Sequence, residues 1–206
     1  MKSARLLLLA FILVSVWPHA GIAGLKIGDQ IPVKDVKMKN VDGRDISISN
    51  VVGNGGTLVV FACNHCPFVK AWQDRIVSLA NTCLLNRIGV ILINSNDPAV
   101  DLEDDFVHMK SQAETQNYRF PYVVDDTSDV ARAFGARRTP EAFLFDAKGA
   151  LIYHGGIDDN AFDADSATKH YLKDAIDALI AGHEVEIKET KSQGCSIAFR
   201  PKEETR

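Results

Sequence analysis

The stretch TLVVFACNHCPFVKAW, residues 57–72, constrains the possible fold more than any other part of the chain. It opens with a continuous, β-branched apolar run, which predicts a buried strand. Cys63 and Cys66 follow, and after them apolar side chains recur at helical spacing to about residue 86. Pro67 suits the first turn of such a helix, where its missing N–H costs nothing. The sequence therefore predicts a strand, a Cys-x-x-Cys turn and a helix in succession.

The rest of the chain alternates short apolar runs with amphipathic stretches. A period-two pattern around Asp42-Gly43 predicts a β-hairpin over residues 35–49. Further strands are predicted at 88–94, at 122–125 and on both sides of 146–149. Helices are predicted at 101–115, with Asp101 as N-cap, at 127–135, and at 166–182, with Ser166 as N-cap and Gly182 as C-cap. Parallel βαβ units followed by antiparallel strands predict an α/β fold: a mixed β-sheet with helices on both faces and an N-terminal β-hairpin extension.

The predicted positions of the two cysteines suggest their chemistry. Cys63 follows the strand, and Cys66 lies where the helix begins, beside unsatisfied backbone N–H groups and the positive end of the helix dipole. Both features stabilise a thiolate, which is the form that attacks a disulfide. The short spacing lets the second thiol resolve a mixed disulfide formed by the first. We therefore predict thiol–disulfide exchange, with Cys63 as the more exposed and more acidic nucleophile and Cys66 as the resolving thiol.

Several segments in this order resemble one protein superfamily. CNHC at a strand–helix junction, followed by RTPEAFLFD at 138–146, is similar to the thioredoxin superfamily. The segments INSND, FPYVVDD, GGIDDN and the C-terminal GCSI extend this resemblance to residues 25–199. Together, the segments resemble the peroxiredoxin-like branch of the superfamily, which comprises the redoxin or alkyl hydroperoxide reductase/thiol-specific antioxidant-like proteins. The resemblance implies a thioredoxin-like fold. It also implies that Thr139 precedes a cis proline, Pro140, which faces the Cys-x-x-Cys pair and shapes a substrate groove.

A thiol-dependent peroxidase is the alternative that this branch suggests. Peroxiredoxins carry the pattern Pro-x-x-x-(Thr/Ser)-x-x-Cys. A pattern that ends at Cys66 fails because the chain has Val59 and Cys63 at the required positions. A pattern that ends at Cys63 fails at Gly56 and Val60. Because the residues that would position a peroxide are missing from this motif, peroxidase activity ranks second.

His65 directly precedes the second cysteine, as a histidine commonly does in the resembling enzymes that oxidise or isomerise protein thiols. A nearby imidazolium stabilises a thiolate and makes the disulfide more oxidising, whereas a solvent-facing histidine would have no effect. Two thiolates and an imidazole also allow a copper or other metal-binding thioredoxin-like protein. Structural zinc would require a second nearby pair of ligands, which the sequence lacks. A redox-silent bridge in a binding module is a further alternative.

Four cysteines permit three complete disulfide pairings, and helix geometry removes two of them. Cys83 follows Cys66 along the same predicted helix by about 25 Å at ~1.5 Å per residue, whereas a disulfide needs Cα atoms within ~7 Å. The remaining complete pairing is Cys63–Cys66 with Cys83–Cys195. Otherwise Cys83 is a small buried hydrophobe, and Cys195 is free or meets the active pair as a third thiol.

Residues 1–23 are typical of a cleavable secretory signal. Lys2 and Arg5 precede a short apolar run, and Gly21 and Ala23 are the small residues that a signal peptidase needs. The run is shorter than the ~20 residues that span a bilayer, although an uncleaved anchor is the alternative. We expect an exported protein, periplasmic if bacterial and otherwise secreted, without stable membrane insertion after cleavage. A redoxin domain is predicted over 24–183 and a partly packed tail over 184–206.

The net charge and the composition limit the classes of molecule that we expect the protein to bind. The chain has a formal net charge of −4 and no evident basic stripe, which argues against nucleic acid. We expect a monomer that acts on protein or small-molecule thiols and disulfides and needs no dissociable cofactor. Three acidic groups are predicted to be structural and solvated: the face formed by 103–105, the turn or cap at 158–160, and an exposed Glu141 beside Pro140.

Overall fold

The computed structural model describes residues 24–202 of the chain, so the predicted signal over 1–23 lies outside the described residues. The strands are β1 (Met38–Asn40), β2 (Asp45–Ile46), β3 (Gly56–Phe61), β4 (Ile88–Asn94), β5 (Tyr122–Val124), β6 (Arg138–Thr139), β7 (Glu141–Phe145), β8 (Leu151–Gly155) and β9 (Cys195–Ser196). The helices are α1 (Pro67–Leu85), α2 (Phe106–Thr115), α3 (Asp129–Phe134) and α4 (Tyr171–Ala181). Within 24–202, no helix is both long enough and apolar enough to cross a bilayer.

Seven strands form one mixed sheet in the order β2-β1-β5-β4-β3-β7-β8. The central strands β3, β4 and β5 are parallel, and β7 and β8 continue the sheet antiparallel on one side. On the other side, β1 and β2 form the predicted hairpin, with Met38 opposite Ile46, and β1 pairs antiparallel with β5. The predicted α/β fold with a mixed sheet and an N-terminal hairpin is confirmed.

The side chains of β3 show why this strand is apolar throughout. Leu58 and Val60 belong to the core that α1, α2 and α4 cover, whereas Val59 and Phe61 belong to a second core with α3 on the opposite face. A strand covered on both faces needs apolar residues at every position rather than at alternate ones. Helices therefore lie on both faces of the sheet, as predicted.

Helix α1 starts at the cysteine motif and is anchored through its first turns. Cys66 is its N-cap and Pro67 its first residue. Trp72 is fully buried and donates its indole N–H to Asp158 at 2.7 Å, and Arg75 forms an ion pair with the same carboxylate. Asp158 also accepts from the backbone N–H of Asn160, so it combines the predicted turn role with a buried anchor for α1.

Two helices begin later than the sequence pattern predicted. A 3-10 turn, Leu102–Asp104, is capped by Asp101, and α2 starts only after Asp105, which accepts a bond from the N–H of His108 at 2.8 Å. Helix α4 begins at Tyr171 because Asp159 binds the backbone N–H groups of Thr168 and Lys169 and holds that segment as a loop. In both cases aspartate side chains compete with the helical backbone bonds that the apolar spacing alone predicts.

The tail after α4 returns along the edge of the domain. Its backbone pairs with β8 where Glu189 lies beside His154, and with the end of β4 where Phe199 lies opposite Asn96. Between these points, β9 pairs antiparallel with β6, with Cys195 opposite Thr139. The tail is therefore held against the end of the sheet at which the Cys-x-x-Cys turn lies.

Candidate active site

Both cysteines of the motif contact Thr139, the residue before Pro140. Cys63 follows β3 and its Sγ lies 3.1 Å from the hydroxyl oxygen of Thr139. The Sγ of Cys66 lies 3.2 Å from the carbonyl oxygen of the same residue. The Thr139–Pro140 peptide bond is cis, and Pro140 is buried. The structure thus brings together four of the predicted site residues: Cys63 and Cys66 from the motif, and Thr139 and Pro140 from a distant segment of the chain.

Cys195 is the third thiol of the site. Its Sγ lies 2.7 Å from the Sγ of Cys66, and it is partly exposed to solvent. Cys83 is buried in the core near the far end of α1, whereas Cys195 lies at its start, so the pairing of Cys83 with Cys195, one of the two possibilities, does not fit the structure. The alternative, in which Cys83 is a buried hydrophobe and Cys195 meets the active pair, describes the structure.

The close approach of the tail depends on Gly194. This residue has φ of +153°, and a Cβ atom there would overlap the carbonyl oxygen of Thr139. Arg138 supports the same approach, because its guanidinium donates to the carbonyl oxygen of Gly194 and to the hydroxyl of Ser196, each at 3.2 Å. The tail therefore occupies the space beside Thr139 and Pro140.

The three thiols differ in acidity. Hydrogen bonds from the Cys63 and Cys195 thiols, together with weaker effects of the Val69 and Cys195 backbone N–H groups, lower the pKa of Cys66 to about 4 against the opposing effect of burial. The bond to the Cys66 thiolate, followed by burial and the Asp104 charge, raises the pKa of Cys63. Burial and the neighbouring Cys66 thiolate raise the pKa of Cys195 to about 12. Cys66 is thus the thiolate of the reduced site.

The structure lowers the pKa of Cys66 and raises that of Cys63, in contrast to the prediction that Cys63 is the more acidic thiol, and both thiols are buried. Cys63 is 1% exposed and Cys66 is fully buried, so neither sulfur presents a surface to solvent. The helix start stabilises the thiolate at its N-cap, which is Cys66, whereas Cys63 lies before the turn. Burial opposes ionisation of Cys66, but the hydrogen bond from Cys63 outweighs it.

His65 is held by a buried carboxylate. Its Nδ1 lies 2.6 Å from Asp104, whose side chain is fully buried. Asp104 also accepts bonds from the backbone N–H groups of Asn64 and His65, at 2.6 and 3.3 Å, and from the side chain of Asn96 at 2.7 Å. The prediction that Asp104 lies on a solvated face is wrong, because this carboxylate fixes the two residues between the cysteines. Its neighbours Glu103 and Asp105 do lie at the surface, as predicted.

Glu141 is also buried rather than exposed. Its carboxylate accepts from the backbone N–H groups of Arg137 and Arg138, at 2.7 and 2.9 Å, and pairs with His154 at 2.7 Å. It is 6% exposed, so the predicted exposed position is wrong. Glu141 organises the turn that presents Thr139 to the two cysteines.

Donor atoms of Cys63, His65 and Asp104 lie within 4.8 Å of one another, which bears on the metal-binding alternative. Sulfur, imidazole nitrogen and carboxylate oxygen are all suitable ligands for zinc or copper. Both oxygens of Asp104 are already hydrogen-bonded, however, and a metal ion would have to replace the proton between Asp104 and His65. The geometry favours a hydrogen-bonded anchor for the turn.

The residues that the sequence did not identify are Asp104, Arg138 and Gly194. A signal for Asp104 exists in DLEDD, because Asp101 and Asp105 account for the two caps and leave one further aspartate without a local role. A signal for Gly194 is its position directly before Cys195, where close approach of the backbone favours glycine. No local pattern indicates that Arg138 binds the tail.

The solved structures that this chain is similar to share its fold but differ in their descriptions. An uncharacterized conserved protein from Geobacillus kaustophilus is 37% identical, with a TM-score of 0.79 over 85% of this chain and 93% of its own. A secreted Mycobacterium tuberculosis disulfide oxidoreductase homologous to E. coli DsbE is 14% identical, with a TM-score of 0.52 over 70% and 96%. The peroxidoxin BcpB from Mycobacterium tuberculosis is 16% identical, with a TM-score of 0.53 over 76% and 95%.

The last two likenesses show the fold alone, and their descriptions name two different chemistries. Among curated proteins, no significant match to the chain is found. The model of the AhpC/TSA family matches residues 27–154, a range that includes the hairpin, the cysteine motif and Thr139–Pro140. The match covers more than half of the chain and agrees with the peroxiredoxin-like resemblance of its motifs. The chain therefore belongs to the AhpC/TSA family.

Proposed function

We propose that this protein is an exported thiol–disulfide oxidoreductase whose Cys63–Cys66 pair cycles between dithiol and disulfide. The observation that carries the proposal is the buried Cys66 sulfur at the start of α1, with its pKa lowered to about 4 and thiols on both sides. A thiolate that persists at neutral pH is the species that exchange requires. Membership of the AhpC/TSA family agrees with redox chemistry at this position.

The residues of the site then have separate roles. The thiolate of Cys66 attacks a disulfide sulfur, one thiolate leaves, and Cys63 attacks Cys66 to close the internal disulfide and release the second thiolate. Two thiols of the protein lose two protons and two electrons, and the substrate disulfide becomes two thiols. Thr139 orients both sulfurs, Pro140 shapes the adjoining surface, and His65 with Asp104 holds the turn between the cysteines.

A redox titration tests the proposal. The purified protein is equilibrated with mixtures of reduced and oxidised glutathione, quenched in acid, alkylated, and mapped by mass spectrometry. We expect one two-electron transition assigned to Cys63–Cys66, preserved in Cys83→Ala and absent in Cys63→Ser and Cys66→Ser. If the wild-type protein forms no Cys63–Cys66 disulfide at any ratio, the proposal is wrong.

A thiol peroxidase is the second candidate, because the tail folds back over the helix start. Peroxide reduction needs a thiolate, a resolving thiol and donors that polarise the O–O bond. Cys66 and Cys195 are a suitable pair at 2.7 Å, and the backbone N–H of Cys195 is directed toward Cys66. The usual proline and hydroxyl residues are nevertheless absent from this motif, since Val59 and Cys63 stand in their places.

Steady-state consumption of hydrogen peroxide separates the two functions. We expect slow turnover that rises linearly with peroxide concentration, beside measurable exchange with disulfides. Rapid, saturable consumption that falls in Cys195→Ser but persists in Cys83→Ala would make the peroxidase the better assignment.

We also propose export through the signal over 1–23, action on protein or small-molecule thiols and disulfides, and a monomeric state. The short apolar run after Lys2 and Arg5 supports export. Sequencing the N-terminus of the protein recovered from outside the cytosol tests cleavage after Ala23, and light scattering of that sample tests the monomer. An uncleaved N-terminus would support the anchor alternative.

A further inference from the structure

The two cysteines of the motif are not accessible to a substrate in this conformation. Cys63 is 1% exposed and Cys66 is fully buried, so a disulfide outside the protein cannot approach either sulfur along the line that exchange requires. Thr139 contacts both sulfurs, and Cys195 of the tail contacts that of Cys66. Cys195 is the partly exposed thiol of the three, and its sulfur touches that of Cys66. Any exchange with the folded protein therefore reaches Cys195 first.

We propose that Cys195 is a relay thiol that passes the electron pair between external disulfides or thiols and the buried Cys63–Cys66 pair. The inference rests on the proposed function, because it assumes that the buried pair cycles. It assigns the tail a direct part in the chemistry, outside the segment that the family model matches. A disulfide between Cys66 and Cys195 is the intermediate of this route, which is the fast one.

Oxidation by an external disulfide R–S–S–R′ proceeds in three exchanges. The thiolate of Cys195 attacks one sulfur of R–S–S–R′, and R′–S⁻ leaves and takes a proton. The thiolate of Cys66 then attacks the Cys195 sulfur, which forms the Cys66–Cys195 disulfide and releases R–S⁻, which is protonated in turn. Finally the thiolate of Cys63 attacks Cys66, and Cys195 leaves as a thiolate and regains a proton. The net change is two external thiols formed, one internal disulfide formed, and Cys195 unchanged.

The surroundings of the three sulfurs fit this sequence of steps. The pKa of Cys63 is raised chiefly by its bond to the Cys66 thiolate, and that cause disappears once Cys66 is in a disulfide with Cys195. The resolving thiol therefore becomes easier to ionise when the intermediate forms. Arg138 opposes the raised pKa of Cys195, so it favours this sulfur both as an attacking and as a leaving thiolate.

The backbone holds Cys195 at the distance that the relay needs. β9 pairs with β6, so Cys195 lies opposite Thr139, the residue that contacts both other sulfurs. Gly194 allows the tail to approach that residue, and Arg138 binds the carbonyl oxygen of Gly194. Prior positioning of this kind makes the second exchange intramolecular and fast relative to attack by a thiol in solution.

Trapping the intermediate is the first test. The reduced protein is mixed with oxidised glutathione, quenched in acid at successive times, alkylated and mapped by mass spectrometry. We expect Cys63→Ser to accumulate the Cys66–Cys195 disulfide, and Cys66→Ser to accumulate glutathione on Cys195. Absence of the Cys66–Cys195 disulfide in Cys63→Ser would overturn the relay.

The rate of oxidation is the second test. We expect Cys195→Ser to reach the same Cys63–Cys66 equilibrium as the wild-type protein, because Cys195 is regenerated, but roughly tenfold or more slowly. Cys83→Ala, which removes a thiol remote from the site, should keep the wild-type rate. If the wild-type protein cycles and Cys195→Ser cycles equally fast, the relay is wrong and the proposed function stands. If neither cycles, both are wrong.

Arg138→Gln provides an independent variant that keeps all four thiols. We expect slower oxidation by glutathione and an upward shift of the pH at which the rate rises, since less Cys195 is ionised. Arg137→Gln removes the same charge from the neighbouring exposed residue and is the matched control. An unchanged pH profile in Arg138→Gln would contradict the part assigned to Cys195 as the attacking thiol.

Discussion

The Sγ atoms of Cys66 and Cys195 lie 2.7 Å apart, although 129 positions separate the two residues in the chain. Their proximity depends on Thr139, which contacts Cys66 through its carbonyl oxygen and pairs with Cys195 across β6 and β9. The Cys-x-x-Cys turn thus supplies two thiols of a three-thiol cluster, and the tail supplies the third.

The acidity of Cys66 gives a direct prediction for the reduced protein. Thiolate ultraviolet absorbance should show a transition near pH 4 that disappears in Cys66→Ser. The pKa of this transition should rise in Cys195→Ala and rise further in Cys63→Ala, because the bond from Cys63 is the larger cause of the shift. A first thiolate transition above pH 8 in the wild-type protein would contradict the assignment.

The same group makes stability depend on pH. The pKa of Cys66 is lower in the folded state than its ordinary value of 9.0, so ionisation stabilises the fold. This contribution is complete above pH 9 and is lost progressively as the pH falls toward 4. Urea unfolding of the reduced wild-type protein and of Cys66→Ser should therefore differ increasingly between pH 4 and pH 9. A difference that stays constant over this range would argue against the thiolate.

Gly194→Ala should detach the tail without unfolding the domain. The added Cβ meets the carbonyl oxygen of Thr139, and φ of +153° disfavours any side chain. We expect faster proteolytic cleavage of the tail and a raised pKa of Cys66, with the far-ultraviolet circular dichroism retained. Gly182→Ala also strains a positive φ, but at an open helix end, and should leave tail cleavage unchanged. Equal cleavage rates in the two variants would contradict the prediction.

Asp104→Asn should destabilise the protein by about 3 kcal/mol. The substitution replaces one carboxylate oxygen, which accepts hydrogen bonds, by an amide NH₂ group, which would face the N–H donors of His65 or Asn96. Urea unfolding measures this change in the free energy of unfolding. Glu103→Gln changes the preceding residue, whose carboxylate pairs with Lys70 at the surface, and should cost less than about 1 kcal/mol. If both variants have the same stability, Asp104 is not the anchor of the turn.

His65→Gln should make the Cys63–Cys66 disulfide harder to reduce. The buried charge of Asp104 raises the pKa of Cys63. In His65→Gln this charge no longer has the imidazole of His65 beside it. We expect a shift of the reduction potential toward negative values by about 30 mV, which corresponds to about 1.4 kcal/mol. Equilibration with glutathione measures it, with His108→Gln, a surface histidine, as the control. An unchanged potential would mean that His65 has no part in tuning the pair.

Local sequence patterns were sufficient to predict much of the fold and the part of the site that contains Cys63 and Cys66. The continuous apolar run of β3 and the proline at the start of α1 indicate the junction at which Cys63 and Cys66 lie. Gly182 ends α4 with φ of +70°, as its position predicts. These features depend on residues close together in the chain, where backbone sterics and side-chain spacing decide the outcome.

The burial of Asp104 and the acidity of Cys66 depend on contacts between distant segments. Three acidic residues in a row have the same local character, and only the folded turn at Asn64 and His65 selects Asp104 for burial. Likewise, the motif alone favours Cys63 as the thiolate, but hydrogen bonds that include one from Cys195 give that role to Cys66. The sequence by itself determined the strand–Cys-x-x-Cys–helix unit. The tertiary structure decided which sulfur is ionised and which is reached first, because pKa and accessibility depend on groups that only folding brings together.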